Sequence, residues 1–145
     1  MPLRAAVRGD VERVLEIERL SFEQPWDLIK FDTALNEVFL LYEEQGEVLG
    51  FLVACCPAML DEAVILKIAV HPDHRGRGIA STLIQAALDR FREMRIREVE
   101  LHVEIVQRGA IHLYERFGFK VMKVLTADYE EEEAFYMMRL KLGGR

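Results

Sequence analysis

The stretch His71-Pro72-Asp73-His74-Arg75-Gly76-Arg77-Gly78-Ile79-Ala80 decides how the rest of the chain is read. It follows the apolar run Ala63–Val70 and opens a long segment of helical periodicity. A strand therefore ends in a basic, glycine-rich turn, and a helix begins at once. Glycine lets the backbone bend with no Cβ in the way. The first N–H groups of a helix lack internal partners and lie at the positive end of its dipole. Such a turn suits a phosphate or pyrophosphate, to which Arg75 and Arg77 add full charges. Two familiar phosphate loops are excluded by spacing. No Lys-Ser/Thr follows Gly78, and Gly76 with Gly78 supplies only the first half of G-x-G-x-x-G. On these residues alone, an ordinary strand-to-helix turn with basic surface side chains remains the alternative.

At 145 residues and 51% hydrophobic content, residues 1–145 are expected to form a single domain with its own core. The formal charge of −6 argues against general nucleic-acid binding. An acidic surface suits a cationic substrate such as an amine, and equally serves solubility. With no apolar run near the ~20 residues that span a bilayer and no signal segment, a cytoplasmic location without a membrane partner is expected. Cys55 and Cys56 are adjacent in a strand-like run, so their side chains point to opposite faces. They read as reduced packing residues, and no metal-site spacing occurs.

Residues 3–7 read as a first strand. Asp10 is placed to cap a helix to about Ser21, with Val14, Leu15, Ile17 and Leu20 as its apolar face. After Phe22-Glu23-Gln24-Pro25-Trp26, Asp27 is placed to cap a second helix carrying Leu28, Phe31 and Leu35. Val38–Glu43 and Val48–Pro57 form a hairpin around Gln45-Gly46, and Ala63–Val70 follows the Asp61-Glu62 turn. The helix after the glycine loop carries Leu83, Ile84, Ala87, Leu88 and Phe91 at helical spacing. Glu98–Ile105 alternates strictly: Val99, Leu101, Val103 and Ile105 face one way, Glu98, Glu100, His102 and Glu104 the other. Ala110, Leu113, Tyr114 and Phe117 share one side of a short helix that Gly118 ends. Phe119–Thr126 and Ala134–Leu142 complete the order β-α-α-β-β-β-α-β-α-β-β. This is a mixed α/β sheet with helices on both faces and one parallel strand pair.

That order, with Arg75-Gly76-Arg77-Gly78-Ile79-Ala80 fitting R/Q-x-x-G-x-G/A, resembles the GCN5-related N-acetyltransferase (GNAT) superfamily over essentially the whole chain. Phe22-Glu23-Gln24-Pro25-Trp26 resembles the F-x-x-P-W loop of N-terminal protein acetyltransferases. Leu60–Ala63 and Ile68–Pro72 resemble the RimI-type enzymes and their archaeal Ard1-type relatives. Ala110-Ile111-His112-Leu113-Tyr114 through Gly118-Phe119 matches the A-x-x-x-Y-x-x-x-G-F signature. The resemblance implies acetyl-CoA as cofactor. Ile68, Ala69 and Val70 would pair with its pantetheine arm, and Arg75, Gly76, Arg77, Gly78, Ile79, Ala80 and Ser81 would cradle the pyrophosphate. Gln107 stands where the family usually has Asn, and Tyr114 would lie beside the sulfur. Phe22, Pro25, Trp26, Glu62 and Tyr129 would hold the acceptor. The usual paired tyrosines of the last hairpin are reduced to Asp128-Tyr129 and a run of glutamates.

Transfer of acetyl from a thioester to an amine requires a neutral amine. A free α-amino group, with pKa near ~8, needs only a modest base. The resemblance makes Tyr114 the acid for the departing thiolate. RimI-like enzymes carry Glu where this chain has His102. Leu101-His102-Val103 matches instead a form in which His activates the amine through water, and on the residues alone His102 equally reads as a polar partner of Glu100 and Glu104 without a chemical role. Imidazole, with pKa near ~6.5, is largely neutral at pH 7 and is chemically adequate. Glu62 and Glu104 are the reserves for this role, and His71, His74 and His112 read as surface residues. The expected activity is acetyl transfer by direct attack to a protein N-terminal amine, by a monomer or weak homodimer. A small-molecule amine acetyltransferase and a non-catalytic acyl-CoA-binding module stay open as alternatives.

Overall fold

The computed structural model describes residues 2–22, 25–57, 61–126 and 134–143. The strands are β1 (Leu3–Ala5), β2 (Val38–Glu44), β3 (Glu47–Cys55), β4 (Glu62–Val70), β5 (Glu98–Glu104), β6 (Lys120–Thr126) and β7 (Ala134–Lys141). The helices are α1 (Val11–Ser21), α2 (Leu28–Ala34), α3 (Ile79–Glu93) and α4 (Arg108–Arg116). They form the expected order around a seven-stranded sheet, β1-β2-β3-β4-β5-β7-β6. Among the described residues β4–β5 is the one parallel pair of neighbouring strands, and α3 carries the chain across between them.

Alternation along the central strands feeds two cores. Val38 and Leu40 of β2, Leu52 and Ala54 of β3, and Val99, Leu101 and Val103 of β5 pack toward α3 and α4. Phe39 and Leu41, with Phe51 and Val53, face the other way toward α1 and α2. There Phe31 of α2 is fully buried, 5.5 Å from Phe51 edge-on and 5.3 Å from Trp26. Gln45 and Gly46, at φ +50° and +80°, make the tight β2–β3 turn. Gly118 ends α4 at φ +101°.

Two local expectations fail for side-chain reasons. Asp10 does not cap α1: its carboxylate accepts from the Arg4 guanidinium at 2.8 and 2.9 Å and from the Val7 N–H at 2.8 Å. Arg4 holds the Asp10 carboxyl below its usual range, against the upward push of partial burial. Leu20 is 56% exposed, and Glu18 takes its place on the buried side of α1. Asp27 does cap α2, accepting from the Lys30 N–H at 2.9 Å, while Leu28 at the helix start is exposed. The first strand stops at Ala5 rather than residue 7.

Candidate active site

The sheet opens between β4 and β5. Their parallel pairing runs from Glu62–Glu98 to Ile65–Leu101 and stops. Beside that point the β3–β4 register skips Leu66, a bulge that turns the rest of β4. Beyond it β4 pairs only with β3, and β5 only with β7. Among the described residues, the β5-facing backbone edge past Leu66 has no strand partner. Ile68, Ala69 and Val70 lie along that edge. A wedge between two strands with one backbone edge unpaired accepts an extended, amide-bearing ligand as an added strand.

The glycine loop sits at the end of β4. Gly76 and Gly78 both adopt φ +79°, a conformation L side chains resist. No backbone N–H from Arg75 through Ser81 donates to a hydrogen bond among the described residues; the first that does is Thr82, to the Gly78 carbonyl at 3.0 Å. These groups open outward at the N-terminus of α3, which is fifteen residues long. The helix seats closely because Gly50 of β3 leaves room: a Cβ there would meet the Ile79 side chain at 3.1 Å. Sequence reasoning had not singled out Gly50.

The loop arginines are engaged elsewhere. Arg75 donates to the Val70 carbonyl at 2.9 Å and to Ser21 Oγ at 3.1 Å. Arg77 pairs with Glu44 at 2.8 and 2.9 Å. The free donors of the loop are therefore backbone N–H groups, with the guanidinium groups adding positive field to a turn suited to an anion. His71 Nδ1 accepts from the Asp73 N–H at 3.1 Å and shapes the turn before the loop.

Tyr114 points from α4 into the core, 7% exposed and with its ring centroid 6.0 Å from that of Phe119. Burial pushes its phenol up to about 12, so the hydroxyl stays protonated at neutral pH. That hydroxyl makes no hydrogen bond among the described residues. It is also not a sealed, unpartnered atom, a condition found among the described residues only at Glu18 Oε1. Gln107, at the N-terminus of α4, is exposed and makes no side-chain cap.

His102 projects from the opposite face of β5, with its side chain 47% exposed. Its Nε2 is 2.9 Å from Glu100 Oε2, and Arg139 of β7 donates to Glu100 Oε1 at 3.0 and 3.3 Å. Partial burial raises the Glu100 carboxyl, but its bonds to Arg139 and His102 outweigh this and lower it. Glu62 lies in register beside Glu98 on the same face. Nearby, Glu18 of α1 is fully buried and accepts the Trp26 N–H and Lys67 Nζ, each at 2.8 Å. Lys67 also stands over Phe22, 3.8 Å from its centroid, and 5.4 Å from that of Trp26. Phe22 and Trp26 therefore stand beside β4 at Lys67, with Pro25 next to Trp26 in the chain. Tyr129 and Glu23 lie outside the described residues.

The predicted residues thus divide between the two sides of the sheet, with the β4–β5 opening between them. Glu18, Lys67 and Arg139 were missed, while Glu100 was read only as a polar neighbour of His102. The available signals were a glutamate on an apolar helix face and a lysine inside an apolar strand. Both cysteines are free, and burial raises both thiols, which disfavours a thiolate nucleophile. Among the described residues no helix is long and apolar enough to cross a membrane.

Comparison with known proteins gives this arrangement a context. An N-alpha-acetyltransferase from Sulfurisphaera tokodaii is 30% identical over 97% of this chain and 92% of its own. A putative [ribosomal protein bS18]-alanine N-acetyltransferase from Bacillus subtilis is 32% identical over 83% of each. The crystal structure of Ard1 from Thermoplasma volcanium superposes with a TM-score of 0.88 at 28% identity, covering 98% of this chain and 97% of that one. The family model described as "Acetyltransferase (GNAT) family" matches residues 11–119, taking in the glycine loop, the strand opening and the Tyr114 signature. The chain belongs to the acetyltransferase (GNAT) family, enzymes that move an acetyl group from acetyl-CoA to an amine.

Proposed function

We propose that this protein transfers acetyl from acetyl-CoA to the α-amino group of a protein N-terminus, in the manner of the RimI and Ard1 types, as a single cytoplasmic domain. The observation that carries the reading is the division of the site. Free backbone amides from Arg75 to Ser81 and the unpaired β4 edge lie at one end of the opening. On the sheet face away from α3 and α4, Phe22 and Trp26 stand about Lys67, and His102 and Glu100 project from β5. The first region fits a pyrophosphate followed by an amide-bearing arm. The second fits an extended peptide. Two N-terminal acetyltransferases among the relatives, aligned over most of this chain, support the peptide reading.

In this reading the backbone from Arg75 to Ser81 holds the pyrophosphate, and Ile68–Val70 and Gln107 hold the arm. When bound, acetyl-CoA supplies a thioester carbonyl open to attack. His102 takes one proton from the acceptor ammonium, directly or through one water, and releases it to solvent. The neutral amine forms the N–C bond as the C–S bond breaks. Tyr114 gives its proton toward the departing sulfur, and the second amine proton restores the phenol. The products are the amide, the free thiol and one proton. A positioned acid or base of this kind is worth roughly 10²–10⁴ in rate.

The test is thiol release from acetyl-CoA with a panel of unblocked peptides, beside the same peptides blocked at the α-nitrogen and a set of polyamines. Turnover confined to the unblocked peptides is expected. Turnover with polyamines alone would replace this reading with a small-molecule acetyltransferase.

A further inference from the structure

On the exposed face of β5 the register builds a chain of three side chains that the family signature does not contain. Arg139 lies directly across from Glu100 on β7, and donates to Oε1 through Nε and Nη2 at 3.3 and 3.0 Å. Glu100 Oε2 lies 2.9 Å from His102 Nε2, two residues along the same strand face. Glu100 is held in its ionised form, and a carboxylate only accepts. The nitrogen facing it must therefore carry the proton. Nε2–H donates to Glu100, and Nδ1 keeps the free lone pair.

From this geometry we infer that Arg139 and Glu100 are positioning residues for His102, fixing its tautomer so that Nδ1 faces the acceptor amine as the proton acceptor. The inference rests on the reading of His102 as the base. Glu100 orients the ring and stabilises the imidazolium formed when the amine gives up its proton. Arg139 anchors Glu100, and its further contact with Glu98 at 3.4 Å ties the guanidinium to two carboxylates. No bond other than the N–H bonds is made or broken by these groups. Other charges share this face. Glu98 and Glu104 lie on β5, Glu62 on β4, Lys141 on β7, and Lys120 and Lys123 on β6. None of them is hydrogen-bonded to His102 among the described residues. Direct bonding singles out Glu100.

Two readouts on the full chain test this. The first follows the His102 ring by NMR across pH in the free protein, with the resonance assigned by its loss in His102→Ala. Glu100→Gln removes a negative charge and should move the His102 midpoint to lower pH. Arg139→Gln removes a positive charge and should move it to higher pH, while Arg139→Lys should stay near wild type. The second is kcat/KM against pH with a peptide acceptor. Its acid limb should follow the NMR midpoints in the same directions, with the plateau falling about tenfold in Glu100→Gln, part of the worth of a well-placed base. Unchanged thermal stability in these surface variants would separate positioning from folding. Midpoints and limbs unmoved in both Glu100→Gln and Arg139→Gln would overturn the inference while leaving His102 as base. An acid limb that persists in His102→Ala would instead overturn the base itself.

Discussion

The two parts of the candidate site are built from different materials. At the α3 end, the candidate site consists of main-chain groups: two glycines at φ +79° and a run of N–H groups with no partners among the described residues. Its arginines are turned to Val70, Ser21 and Glu44. On the sheet face away from α3 and α4, the candidate groups are side chains whose partners come from other strands and helices. Arg139 with Glu100 and Lys67 with Glu18 are separated by tens of residues in sequence. Backbone devices need particular local conformations, so they impose local sequence rules. Side-chain devices need a particular strand or helix brought alongside, and which element that is leaves no local mark.

That difference explains what could be read in advance. The glycine turn, the α4 signature and the order of elements along the chain all carry local spacing, and the structure forms those elements where expected. His102 was readable as polar-face because alternation alone settles its side. Its partner Arg139 was not, because pairing β5 with β7 rather than with its chain neighbour β6 is a topological fact. Asp10 was misread because a cap signal cannot show that Arg4 competes for the same carboxylate. Glu18 was missed because a buried glutamate becomes tolerable only once Lys67 and the Trp26 N–H are brought to it.

The contrast can be broken by altering one part and reading the other. The largest effect is expected from Gly78→Glu, which puts a side chain at φ +79° and a negative charge beside the free amides. The strain costs about 1–2 kcal/mol before any repulsion. Calorimetric titration should therefore find acetyl-CoA binding lost, and the melting temperature should no longer rise with acetyl-CoA. Binding within threefold of wild type would remove the loop from the site.

Tyr114→Phe should lower kcat by about 10²-fold while acetyl-CoA still stabilises the fold normally. The ring keeps its packing in the core, and only the hydroxyl is lost. Equal turnover would make Tyr114 a packing residue.

Glu18→Ala should cost about 3 kcal/mol in denaturant unfolding, because it strands the Lys67 charge against Phe22 and Trp26. Lys67→Met added to Glu18→Met should recover most of that loss, since a matched apolar pair avoids the stranded charge. Acetyl-CoA affinity should be unchanged in both, which keeps the two parts distinct. Failure of the double variant to recover stability would mean that packing, not charge pairing, dominates there.

The smallest effect is expected from Arg77→Gln. Its solvent-exposed pair with Glu44 contributes little to stability. Acetyl-CoA affinity should fall no more than about fivefold, the share left to field effects if the backbone makes the phosphate contacts. A loss as large as that of Gly78→Glu would return the phosphate contact to the side chain.

The division of the site is tested most directly by locating the transferred acetyl. A peptide with a free α-amine and an internal lysine, incubated with the protein and acetyl-CoA, is fragmented by tandem mass spectrometry. The acetyl mass is expected on the first residue's α-nitrogen alone, and to be absent when that nitrogen is blocked. Acetyl on the internal lysine, or equal transfer to the blocked peptide, would contradict an acceptor face built for a chain terminus.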